Sequence, residues 1–274
     1  MSDPTALPRI ERSLSAATLD PAWLCAYNDC IGLSSESRDV LAPLTLQIAA
    51  APLHLSILAD ARFPFRALGM VHMRQTVTQT EAIPATACLD LLAYCTEARW
   101  EKRGMSFCLV TEARCDGQLV WQGRTKALAP SKSPGQPQVA ATRRIDEVDP
   151  TQADTLLCER TLHVPESCGR RYAAIAGDLN PIHQHALLAR LFGFRRAIVH
   201  GTWTLARALA AAELPRSAPF SLEARFRRPV SLPSDVIVRA WAGNGERRHT
   251  AEVSSPDGAT TYLNVELTES AVVS

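Results

Sequence analysis

The sequence has 274 residues, of which 46% are hydrophobic and 21% are charged. That balance is typical of a folded protein of one or two domains and excludes a largely disordered chain. The formal net charge of +1 gives no reason to expect nucleic acid or an anionic membrane as a partner. No apolar run reaches the roughly 18 residues that span a bilayer, and the first residues lack signal-peptide features. We therefore expect a cytoplasmic protein.

The first half of the chain predicts antiparallel strands joined by a tight turn. Residues 71–77 are one strand candidate, and two more, 107–113 and 118–128, flank the turn Cys115-Asp116-Gly117. An Asp-Gly pair between two such runs is a strong β-hairpin signal. This half therefore ends in paired strands.

A segment without apolar side chains other than proline follows at residues 130–137. It cannot bury a face and indicates a linker. We predict an N-terminal domain at residues 1–129, a linker at 130–153 and a C-terminal domain at 154–274.

The second half predicts a strand at residues 157–164, a short helix that ends before Gly177, and a longer helix at residues 202–212. The longer helix is apolar nearly all round, so we expect it to be buried on every side. Four strand candidates follow, at residues 220–226, 235–241, 248–253 and 260–267. An apolar helix of this kind needs a curved sheet around it, which predicts an α+β fold. Both halves end in strands joined by an Asp-Gly turn, which favours a duplicated unit.

The eight cysteines include no pair separated by only two residues. In a chain of this size, we expect them to be free thiols acting as small core residues. No cysteine is assigned a catalytic role.

The segment 177–183, Gly-Asp-Leu-Asn-Pro-Ile-His, carries the clearest chemical signal. Asp178 and His183 lie five residues apart with an Asn-Pro turn between them, which can bring both side chains to one small volume. Gly201 opens the buried helix, where backbone N–H groups carry the positive end of the helix dipole. A general base, an acidic partner and N–H donors for a developing oxyanion are what water addition to an unsaturated thioester requires.

Other interpretations of these residues remain open. Asp178 alone is compatible with a turn, and His183 with a satisfied polar residue. A metal site built from Asp178, His183 and His185 is a weaker alternative. We interpret His200 as a structural hydrogen-bonding residue at the helix start. We interpret the arginines of 195–196 and 227–228 as solvated charge, with contact between one of them and a coenzyme A phosphate as the alternative.

Residues 172–201 contain Gly-Asp-x-Asn-Pro-x-His and then Gly-Phe-x-x-x-Ile-x-His-Gly, and residues 226–230 continue with Phe-Arg-Arg-Pro-Val. This pattern resembles the MaoC-like (R)-specific enoyl-CoA hydratases and 3-hydroxyacyl-thioester dehydratases. The resemblance implies a double hot-dog fold, in which two repeats each wrap a curved antiparallel sheet around a helix. Because the motif is absent before residue 150, the N-terminal repeat is expected to be degenerate and to form a wall for the acyl chain.

The resemblance also implies the site and its partners. Asp178 and His183 are expected to be catalytic, with the backbone N–H of Gly201 as oxyanion donor, and we assign Asn180 and Trp203 to substrate binding. No cofactor and no metal are expected. The implied partner is an acyl-CoA or acyl carrier protein thioester, with no nucleic acid and no membrane, and a homodimer of double-hot-dog subunits is compatible with the family.

The function predicted from the sequence is hydration of trans-2-enoyl thioesters or dehydration of (3R)-3-hydroxyacyl thioesters. A hot-dog acyl-CoA thioesterase and a non-catalytic acyl-thioester-binding protein are the alternatives. The run 41–51 is rich in alanine and short side chains. It predicts either the wall of an acyl tunnel or an ordinary packed helix.

Overall fold

The computed structural model describes residues 7–65, 69–130, 155–214, 219–243 and 247–270. Apart from Pro130, the last residue of a strand, the predicted linker at 130–153 lies outside these ranges. The domain boundaries therefore stay a prediction.

The N-terminal half places one strand and three helices before a group of four strands. In chain order these are β1 (Glu11–Ala17), α1 (Pro21–Ile31), α2 (Thr45–Ala49), α3 (Ala51–Leu58), β2 (Val71–Gln79), β3 (Leu89–Glu101), β4 (Gly104–Cys115) and β5 (Gln118–Pro130). A 3₁₀ turn lies between α1 and α2 at Ser35–Ser37. The hairpin between β4 and β5 turns at Asp116 and Gly117, which both have positive φ, as an Asp-Gly turn requires.

In the described part of the C-terminal half, one strand is followed by four helices and then by four strands. Its elements are β6 (Thr155–Val164), α4 (Cys168–Ala176), α5 (Pro181–Gln184), α6 (Ala186–Arg190), α7 (Gly201–Ala211), β7 (Phe220–Phe226), β8 (Ser234–Ala242), β9 (Arg248–Ser254) and β10 (Thr261–Glu269). The predicted helices and the four predicted strands of this half are confirmed, with ends that differ by a few residues.

All the strands form one 10-stranded sheet in the order β1-β3-β4-β5-β2-β7-β10-β9-β8-β6. The two halves meet where β2 pairs antiparallel with β7, with Gln75 opposite Ala224. Each half-sheet thereby covers an edge that would otherwise expose unpaired backbone groups. The predicted double hot-dog, with sheets that continue into one another, is confirmed.

Helix α7 lies against the C-terminal half of the sheet and contacts β9 and β10. Its buried side chains include Leu205, which is fully buried, and Leu209. On its other side it packs against α1 of the N-terminal half. Two tryptophans donate hydrogen bonds between the halves: Trp23 Nε1 of α1 donates to the Ile175 carbonyl of α4, and Trp203 Nε1 of α7 donates to the Cys30 carbonyl of α1, each at 3.0 Å.

Helices α2 and α3 fill the N-terminal half. Gln47 donates to Thr125 Oγ1 at 3.0 Å, and His54 Nε2 shares a 2.6 Å hydrogen bond with Thr111 Oγ1, so these buried polar groups on the helices are satisfied by the sheet. Leu44, just before α2, packs toward Leu209 around a void of only about 10 Å³. The run 41–51 is therefore a packed core segment.

All eight cysteines are free thiols, as predicted, but the expectation that they act as core residues is wrong for Cys25 and Cys88, which are exposed. Within the described residues, no helix is both long and apolar enough to cross a membrane.

Candidate active site

A cleft of about 420 Å³ opens where the two halves meet. The C-terminal half contributes the loop after α4 and the start of α7, and the N-terminal half contributes residues 70–72 at the start of β2. Because β2 pairs with β7, the strand register of the sheet junction sets the distance between these walls. The cleft is thus a property of the assembled molecule and not of one repeat.

Asp178 reaches the cleft because α4 ends abruptly. Gly177 adopts a left-handed conformation with φ of 70°, and its N–H donates to the Ala173 carbonyl, which closes the helix. Asp178 Oδ1 then accepts a hydrogen bond from the Asn180 N–H at 3.1 Å. The carboxylate is 51% exposed and is accessible from the cleft.

His183 lies on the single turn of α5, which begins with Pro181 and is capped by Asn180 Oδ1. Its Nδ1 lies 2.8 Å from the Ile198 carbonyl. A carbonyl only accepts, so Nδ1 carries the proton and the neutral ring has its lone pair on Nε2. Nε2 is 3.9 Å from Asp178 Oδ2. Burial lowers the pKa of His183, which favours this neutral, basic form.

His200 contacts both Asp178 and His183. Its Nε2 donates to the backbone carbonyl of Asp178 at 3.1 Å, and its ring stacks on His183 with centroids 3.6 Å apart. The ring of Tyr172 packs against the His200 ring in an edge-to-face arrangement. Burial, and then the neighbouring His183, lower the pKa of His200. His200 is therefore the structural hydrogen-bonding residue that the sequence predicted.

Gly201 is the first residue of α7, and the side chain of His200 does not cap the helix. The first N–H groups of a helix have no partner within it, so those of α7 are available at the cleft. A Cβ at Gly201 would lie 3.0 Å from two carbons of the Phe226 ring. Glycine therefore keeps the backbone accessible and the ring close.

The structure brings together three of the five predicted site residues as expected, since Asp178, His183 and Gly201 all line the cleft. Asn180 also lines it, but its side-chain oxygen accepts from the Ile182 N–H and caps α5. The assignment of Trp203 to substrate binding is corrected. Its ring is buried against the N-terminal half, where its N–H donates to the Cys30 carbonyl, and it does not line the cleft.

The structure changes which residues could form the alternative metal site, since His200 takes the place of His185. His185 is exposed and caps α6 through its own ring nitrogen, away from the site. The three groups whose ligand atoms lie within 4.8 Å of one another are Asp178, His183 and His200. A divalent ion held there would displace the hydrogen bond from His200 Nε2 to Asp178, because that nitrogen carries the proton.

Sequence reasoning missed two residues. His72 brings an imidazole from the N-terminal half to the cleft, packs on Phe226 with centroids 4.4 Å apart, and has a buried Nε2 without a partner among the described residues. Gly169, in α4, lies so close to His183 that a Cβ would be 2.2 Å from its carbonyl oxygen. Neither residue carries a local motif; only the tertiary arrangement identifies them.

Comparison with known proteins identifies the family. Residues 147–262 match the model described as MaoC like domain. The Mycobacterium tuberculosis protein named 3-hydroxyacyl-thioester dehydratase X is 30% identical over 244 residues, which cover 87% of this chain and 82% of that protein. The chain belongs to the MaoC-like dehydratase family.

Solved structures agree with this assignment in fold. The crystal structure of HtdX from M. tuberculosis has a TM-score of 0.78 and 24% identity, and the match covers 95% of this chain and 100% of that one. A MaoC-like dehydratase from Phytophthora capsici has a TM-score of 0.75 at 14% identity, covering 97% and 96% of the two chains. The double hot-dog of this MaoC-like chain is thus shared over nearly its whole length.

Proposed function

We propose that this MaoC-like protein is a hydro-lyase that interconverts (3R)-3-hydroxyacyl and trans-2-enoyl thioesters in fatty-acyl metabolism. The observation that carries the proposal is the tautomer of His183. Its Nδ1–H is bound to the Ile198 carbonyl, so a basic Nε2 faces Asp178 beside the uncapped start of α7. The family relative's name, a 3-hydroxyacyl-thioester dehydratase, supports the same reaction class.

In hydration, a water held between Asp178 and His183 loses a proton to Nε2 as its oxygen attacks the β-carbon. The charge that develops on the thioester oxygen is stabilised by the Gly201 N–H, and one preorganised donor of this kind contributes about 3 kcal/mol. The Asp178–His183 pair then returns a proton to the α-carbon. Dehydration reverses each step, so the hydroxyl leaves as water.

Each remaining residue has a positioning role. His200 holds the Asp178 backbone, Asn180 begins the turn that carries His183, and His72 with Phe226 forms the opposite wall. We propose that the N-terminal repeat, residues 1–129, supplies this wall and no catalytic group.

The free thiols fit a reducing compartment, and we expect the enzyme to act in the cytoplasm.

The test is a panel of trans-2-enoyl-CoA substrates of rising chain length. We expect the absorbance of the conjugated thioester to fall without release of free thiol. Thiol release without hydration would indicate the thioesterase alternative. Absence of both reactions across the panel would refute the proposed function and favour a binding protein.

A further inference from the structure

An exposed apolar surface lies beside the mouth of the cleft. The side chains of Leu187, Leu188, Leu191 and Phe192, in and after α6, are between 37% and 79% exposed. We name residues 187–196 the α6 surface. Phe194, inside this segment, lines the cleft, so the surface continues into the site. Grouped apolar side chains that remain exposed in a folded protein indicate an interaction site.

The α6 surface is also positively charged. It contains Arg190, Arg195 and Arg196, all exposed, and no acidic residue. Within the described ranges, none of these three lies within 4.0 Å of a carboxylate, whereas strand arginines such as Arg239 and Arg248 do. Their polar contacts within the chain are to backbone carbonyls of residues 195 and 233. This surface therefore combines large apolar side chains with cations that have no carboxylate within 4.0 Å in the part of the chain that the structure describes.

We propose that the α6 surface docks an acidic acyl carrier protein, whose phosphopantetheine-linked acyl group enters the cleft past Phe194. This inference rests on the proposed function, because it names the carrier of the thioester. Carboxylates of the carrier pair with the arginines, and an apolar helix face of the carrier covers the leucines. Both components of the surface are then used at the position where the substrate must enter.

Other occupants fit the surface less well. A second copy of this chain in a two-fold interface would bring six arginines and no acidic residue of this surface into one patch, where the like charges repel one another. A membrane would need a long amphipathic helix, but α6 has only 5 residues. Free coenzyme A has too little apolar area to cover four large side chains.

The test uses Leu191→Ser and Arg195→Glu, two exposed residues that do not line the cleft. The substrates are crotonyl-CoA and the crotonyl-loaded acyl carrier protein of the organism that encodes this chain. We expect kcat/KM for the carrier-protein substrate to fall about tenfold or more in each variant, and kcat/KM for crotonyl-CoA to change less than about twofold. Matched controls are Leu14→Ser and Arg9→Glu, which are exposed at the outer edge of the sheet and should affect neither substrate.

Affinity for the unloaded carrier protein, measured by titration, separates this inference from the proposed function. Lost binding in Leu191→Ser supports docking even if the wild-type protein shows no hydration. Equal losses on both substrates overturn the inference, as does a wild-type enzyme that uses crotonyl-CoA but not the carrier-protein substrate. A wild-type dimer that becomes monomeric with Leu191→Ser, or binding to anionic phospholipid vesicles that the same variants abolish, also overturns it.

Discussion

The basicity of His183 depends on a backbone carbonyl fifteen residues further along the chain. That contact fixes the tautomer, and burial lowers the pKa of the ring below its ordinary value near 6.5. A lowered pKa keeps the base neutral as the solution becomes acidic, and activity is lost only when the pH falls through the lowered value. We therefore expect the acidic limb of the kcat/KM profile with crotonyl-CoA to have its midpoint below pH 6.5. A midpoint at or above that value would contradict the assignment.

Replacing either Asp178 or His183 should remove most of the activity but leave the protein folded. Positioned acid–base residues supply about 100- to 10,000-fold, so Asp178→Asn and His183→Ala should each lower hydration of crotonyl-CoA by that factor. The matched control is the exposed pair His163 and Asp235, which lie 2.7 Å apart on β6 and β8. His163→Ala and Asp235→Asn should retain activity. Near wild-type turnover in either site variant would disprove the dyad.

At the scale of the elements, α4 positions the catalytic turn by direct contact. Alanine normally stabilises a helix relative to glycine by about 1 kcal/mol, but a Cβ at Gly169 would lie 2.2 Å from the His183 carbonyl oxygen. Backbone cannot move as easily as a side chain. We expect Gly169→Ala to lower both the Tm and kcat.

Gly201→Ala is the informative comparison for that prediction. Its Cβ would meet the Phe226 ring at 3.0 Å, and a ring can shift by a few tenths of an ångström. We therefore expect a smaller fall in Tm than for Gly169→Ala, with kcat/KM still reduced by crowding of the cleft. Thermal denaturation and steady-state kinetics on the two variants measure both effects. A Gly169→Ala protein as stable and active as wild type would refute the positioning role of α4.

The elements that the sequence predicted are those with a local cause. The Asp-Gly turn at 116–117, the alternation in β7 and the all-round apolar character of α7 each follow from neighbouring residues. β1 was not predicted, because an edge strand with mostly exposed side chains shows no alternation. The burial of Trp203 and the position of His72 depend on how the halves pack together, which no local pattern encodes.

For the whole molecule, the continuous sheet decides which residues of the N-terminal half can act in the site. The junction of β2 with β7 carries residues 70–72 to the cleft, whereas the run 41–51 packs between α7 and its own half-sheet. Of the two interpretations predicted for that run, the structure shows the packed segment, since the run does not line the described cleft. Among the described residues, the N-terminal half contributes only the segment 70–72, at the start of β2, to the lining of the cleft.

The fold also buries imidazoles that must stay neutral, which makes it sensitive to acid. Burial lowers the pKa of His54 and of His72 to about 4, whereas the unfolded chain titrates near 6.5. Between those values the unfolded chain binds protons that the folded chain does not, so the free energy of unfolding falls as the pH falls through this window. For His54 the loss is on the order of 3 kcal/mol when complete. His72, which lines the cleft, has its pKa lowered in the same direction by burial.

His54→Gln, which keeps a hydrogen-bonding group near Thr111, should remove one of these contributions. We expect the difference in urea-unfolding free energy between pH 7 and pH 4.5 to shrink by about 2 kcal/mol relative to wild type. The exposed Leu14 provides the control, since Leu14→Ser changes no titratable group and should leave that difference unchanged. If His54→Gln showed the wild-type dependence on pH, burial of His54 would not be a source of the acid sensitivity.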